Sequence, residues 1–82
     1  MTPPPKTIHD LGRFVAVTRR ERGLTAAELA EQAGVPATWL RSLENGRIAV
    51  LPPPGRLRAI AAALGVTPRD LLIAAGYLDA ES

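Results

Sequence analysis

Residues 25–46 read TAAELAEQAGVPATWLRSLENG, and the fold follows from how this stretch divides. Thr25-x-x-Glu28 has the spacing of a capping box, in which a hydroxyl and a carboxylate three residues apart satisfy backbone N–H groups at a helix start. Leu29, Ala30 and Ala33 then recur at helical spacing and predict a helix over 25–33 that buries that face. Gly34 interrupts the period, as a residue able to end a helix in the left-handed conformation does. Pro36 suits the first turn of a second helix, whose inner side is marked by Leu40 and Leu43. Thr38, Arg41, Ser42 and Asn45 fall on its outer side, with Ala37 and Trp39 on opposite flanks.

Outward from this pair, glycines at 12, 23, 34, 46, 55, 65 and 76 divide the chain into five helical segments. The first spans about 7–22, with Thr7-x-x-Asp10 as a cap, a stripe of Leu11, Val15, Thr18 and Arg22, and a propensity cost at Gly12. After Gly46 the connector RIAVLPPPG excludes helix until about Pro54. A fourth segment to Leu64 aligns Leu57, Ile60, Ala61 and Leu64. The fifth opens on Thr67-Pro68-x-Asp70, an N-cap, a proline at the first helical position and an acid at the positive helix end. It turns Leu71, Leu72 and Ala75 inward and stops at Gly76. The expected fold is all-α, with residues 7–78 as the domain, 1–6 as a Pro-rich arm and 79–82 as a tail.

Composition narrows the function. Eighty-two residues suit one small domain that buries only about 60–65% of its unfolded surface. With no cysteine there is no disulfide framework or thiolate metal site. No apolar run approaches the ~20 residues of a membrane span, and MTPPPKTIHD lacks a signal-peptide core, so the expected location is the cytoplasm. One histidine, His9, without a second His or Cys makes no ligand set and reads as a solvated side chain. With no phosphate-cradling glycine loop either, there is no basis for an enzyme or a cofactor. Charge is uneven: residues 1–23 carry +3, 24–46 carry −2 and 47–82 carry +1. If the partner is nucleic acid, phosphate contacts must come mostly from the ends of neighbouring elements.

Two helices joined by a single-glycine turn form a helix-turn-helix unit, with small Ala30 where the helices cross and Val35, Leu40 and Leu43 locking them. Together with LGRFVAVTR, RGLTAAELAEQAGV, WLRSLENGR and LRAIAAALGVTPRDLLIAAGYL, this order of elements resembles the Cro/C1-type, lambda-repressor-like helix-turn-helix family over more than three quarters of the chain. The resemblance implies a compact five-helix domain that binds double-stranded DNA with its third helix in the major groove, usually as a dimeric regulator. It puts Thr38 and Ser42 on the groove face, Ala37 near its N-terminal end, and Arg41 and Asn45 beside them. Arg41 is the one long donor there, since Thr, Ser and Ala make no bidentate base contact. Phosphate anchors are expected at the Thr25 and Ala26 N–H groups and at Arg47 with Arg56 or Arg58. Arg19 and Glu44 match family positions that form a partly buried ion pair.

Trp39 reads as packing under the loop after the third helix, with its indole N–H free for a phosphate. Phe14 with Val17, and Ile73 with Tyr77, are second apolar pairs that either cover each other within the chain or, using Ile73, Tyr77 and Leu78, join two copies. The function expected is a sequence-specific transcriptional repressor acting as a homodimer on a pseudo-palindromic operator, with a regulatory protein as a possible further partner. The competing expectation is a protein-interaction module that keeps the fold with little specific DNA binding, motivated by the acidic 24–46 segment, by Ala26, and by the short side chains at 37, 38 and 42.

Overall fold

A computed structural model describes residues 8–74. The arm 1–6, Thr7 of the first cap, the expected inward Ala75, the Gly76 stop, Tyr77, Leu78 and the tail 79–82 lie outside the described residues. Those described form five helices, α1 Ile8–Glu21, α2 Ala26–Ala33, α3 Ala37–Glu44, α4 Pro54–Leu64 and α5 Pro68–Ala74, with no strand among them.

Local chemistry sets most boundaries. Thr25 is the N-cap of α2: its hydroxyl accepts from the Glu28 N–H at 3.1 Å, and its own N–H donates to Glu28 Oε1 at 2.8 Å. Thr67 and Asp70 form the same reciprocal pair at α5, at 3.0 and 3.1 Å. The proline run holds α4 off until Pro54. Pro36 falls just outside α3 as an extended N-cap residue with no side-chain acceptor, so the helix begins at Ala37. Gly34 has φ 69° and turns the chain between α2 and α3, with Val35 N–H donating to Ala30 O at 3.0 Å. A side chain there would be strained by that backbone conformation alone.

The core is one cluster drawn from every helix: Leu11 and Val15 of α1, Leu29 and Ala30 of α2, Leu40 and Leu43 of α3, Leu57, Ile60, Ala61 and Leu64 of α4, and Leu71 of α5. Burying a leucine fully is worth about 1.5–3 kcal/mol, so Leu40 and Leu43 together fasten α3 firmly enough that its opposite side can be given over to solvent.

Three residues depart from the sequence reading. Gly12 is buried, and a Cβ placed on it would collide with the Leu43 carbonyl, so it is the point where α1 and the end of α3 touch backbone to backbone. Arg22 lies beyond α1 and is exposed rather than part of a buried stripe, and its Nε donates to Leu64 O at 3.0 Å, at the end of α4. His9 is exposed but not merely solvated, for its imidazole lies across Gly46 and occupies the space a side chain at 46 would need.

Candidate nucleic-acid interface

Leu40 and Leu43 are fully buried, which turns Thr38, Arg41 and Asn45 outward as exposed residues, with Ser42 half-exposed among them. Ala37 and Trp39 are half-buried on the two flanks. The helix ends with Asn45 at the C-cap and Gly46 at φ 74°, and Arg47 N–H donates back to Ser42 O at 2.8 Å. That closing turn satisfies carbonyls of the last helical turn, and exposed Arg47 follows two residues after Asn45.

Within α3 the only charges are Arg41 and Glu44. Glu44 is withdrawn from the outer face by Arg19, whose Nε donates to Oε2 at 2.8 Å and whose Nη2 donates to Oε1 at 2.9 Å. Arg19 Nη1 also donates to Leu24 O at 2.8 Å, so one guanidinium ties α1, the α1–α2 turn and the end of α3 together. The two side chains are only 12% and 8% exposed. The hydrogen bond to Glu44 raises the Arg19 pKa above its ordinary value, with burial opposing it. With Glu44 ion-paired inward, Arg41 is the charge of α3 left on its outer face with no ion pair among the described residues, as an anionic partner requires.

The sequence suggested Trp39 for packing and Arg56 for a phosphate, with nothing to connect them. In the structure the Arg56 guanidinium sits 4.6 Å from the centre of the Trp39 ring. A guanidinium held over a ring face by this cation–π contact keeps N–H groups available for another acceptor. No hydrogen bond to another described residue engages those groups. Arg58 goes elsewhere: it borders an apolar hollow of about 290 Å3 with Leu51, Pro52, Pro54, Leu57, Pro68 and Leu72. Of the two arginines considered in α4, only Arg56 is brought against α3.

At the start of α2 the Thr25 N–H is already donated to Glu28. The Glu28 carboxyl pKa is lowered by that backbone hydrogen bond first and by the Thr25 side chain second. The Thr25 N–H is therefore occupied by an internal carboxylate, and of the two groups expected to meet a phosphate only the Ala26 N–H has no bond of this kind. Ile73 is half-buried on α5; Tyr77 and Leu78, grouped with it by the sequence, lie outside the described residues.

A family model described as a helix-turn-helix domain matches residues 10–72. The HTH-type transcriptional repressor RghR of Bacillus subtilis is 33% identical over 72 residues, covering 88% of this chain and 53% of RghR. The chain thus spans about half the length of the curated relatives it matches. Among solved structures, the SinR master regulator for biofilm formation in complex with DNA is 34% identical with a TM-score of 0.71, covering 76% of this chain and 97% of that one. The clp gene regulator ClgR from Corynebacterium glutamicum is 36% identical with a TM-score of 0.74, covering 89% and 76%. From these matches and from the geometry of α2, Gly34 and α3, the chain belongs to the Cro/C1-type helix-turn-helix family.

Proposed function

We propose that this chain is a sequence-specific DNA-binding transcriptional repressor that lays α3 in the major groove. The observation that carries the reading is the division of α3 into a buried leucine side and an outer side holding Thr38, Ser42, Asn45 and the unpaired Arg41, while Glu44 is held inward. Arg41 supplies the strong donor, to guanine or a phosphate; Thr38 and Ala37 offer methyl groups to thymine, Ser42 offers a polar contact on the groove face and Asn45 one beside it. Arg47 and Arg56 anchor phosphates beyond the end of α3 and beside its flank, and the Ala26 N–H does so at the start of α2. The reported similarity to a named repressor and to a regulator solved on DNA supports the class.

The same reading makes the protein a cytoplasmic homodimer joined through Ile73, Tyr77 and Leu78, with two α3 helices entering grooves about 34 Å apart on a pseudo-palindromic operator. A regulatory protein partner is a further proposal, and catalysis has no part in the reading. No helix among the described residues is long and apolar enough to cross a membrane. One observation favours the protein-interaction alternative: Glu28 places a carboxylate at the α2 terminus, where a phosphate would otherwise approach. Competition gel shifts decide between them. A selected duplex should outcompete random DNA by 1,000-fold or more at physiological salt, on the order of typical specific sites; equal competition would leave only the interaction module.

A further inference from the structure

The Ser42 hydroxyl is not a free, two-way hydrogen-bonding group. Its Oγ donates to the Thr38 carbonyl at 3.0 Å, one helical turn back on the same outer face. A serine has one O–H to give and two lone pairs to receive with. With the proton committed inside the helix, what the half-exposed Oγ presents outward is acceptor capacity alone.

The major groove sorts bases by this property. Adenine and cytosine present amino donors there, at N6 and N4, while guanine and thymine present the keto acceptors O6 and O4. An oxygen with only lone pairs on offer gains a hydrogen bond against an amino group and meets lone pair with lone pair against a keto oxygen. Rotating the hydroxyl outward to serve a keto base forfeits the bond to Thr38, so that arrangement trails by about one neutral hydrogen bond, or about fivefold in affinity. Resting on the DNA-reading role of α3, we infer that Ser42 is a specificity-determining residue that selects adenine or cytosine over guanine or thymine on the contacted strand. Arg41, the adjacent residue, has the opposite chemistry and can only donate.

The test is selection of bound duplexes from a random pool with the wild-type chain, Ser42→Ala and Ser42→Thr. Alanine is a better helix former than serine, and thermal melting checks that both variants are folded. At one position in the site the wild type should favour A or C over G or T on one strand by about fivefold. Ser42→Ala should level that position to within about twofold while the others hold, and Ser42→Thr, able to make the same bond to residue 38, should keep the preference. A selected site whose preferences all survive Ser42→Ala, or a relaxed position that favoured a keto base, overturns the assignment and leaves DNA reading intact. No selected sequence at all overturns both.

Discussion

Replacing Glu44 with alanine tests the joint on which the placement of α3 depends. The carboxylate receives two N–H groups from Arg19, at 2.8 and 2.9 Å, in a site where the partners are 12% and 8% exposed. Removing it strands a desolvated guanidinium, a loss of about 3–5 kcal/mol for a buried pair broken on one side. Arg19 keeps its bond to Leu24 O and both side chains retain some solvent contact, which argues for the lower end, about 3 kcal/mol. For a domain of this size each kcal/mol shifts the melting temperature by roughly 4–8 °C, so Glu44→Ala should melt about 12–24 °C below the wild type. Total stability at about 0.05–0.15 kcal/mol per residue makes that a quarter or more of what the chain has. Thermal unfolding followed by circular dichroism at 222 nm, with urea titration at 25 °C, measures both. The paired variant Arg19→Met/Glu44→Leu should recover much of the loss, since no charge then stays buried. A Glu44→Ala midpoint within about 3 °C of the wild type would refute the reasoning.

Gly12→Ala should destabilise the fold by about 1–3 kcal/mol despite the ~1 kcal/mol gain in helix propensity, because the new methyl meets the Leu43 backbone rather than a yielding side chain; a rise in urea midpoint would contradict the contact. The Glu28 cap has a carboxyl pKa below its unfolded value, so its contribution is complete above the unfolded carboxylate range and fades as pH falls through the folded value. Urea midpoints of wild type and Glu28→Ala should therefore differ at neutral pH and converge in acid, whereas a gap constant with pH would count against the cap. On DNA, Arg56→Gln should reduce the slope of log K against log salt by about 0.9, the loss of one phosphate contact. Trp39→Leu should then cost little in the Arg56→Gln background, while full additivity would mean that the stack does not position Arg56.

The elements themselves were legible because their signals are local. Thr25 with Glu28, Thr67 with Asp70, the prolines ahead of α4 and the turn at Gly34 each act within a few residues, through a hydrogen bond or a backbone angle that does not depend on the rest of the chain. The leucine side of α3 followed from helical period, and its outer side followed by difference. Arg19 and Glu44 stand 25 residues apart, and only the family resemblance put them together.

Contacts without a periodic or local signature were not legible. Gly12 read as a weak point in α1, yet it is where α1 and α3 touch; His9 read as solvated, yet it covers Gly46. Nothing in RIAVLPPPG showed that the next helix would bring Arg56, rather than Arg58, over Trp39. The sequence by itself determined the five helices, the caps that open α2 and α5 and the outer side of α3, because capping and amphipathic period are properties of neighbouring residues. Tertiary structure decided which charges that outer side keeps and which long donors stand beside it, because those depend on the approach of helices far apart in the chain.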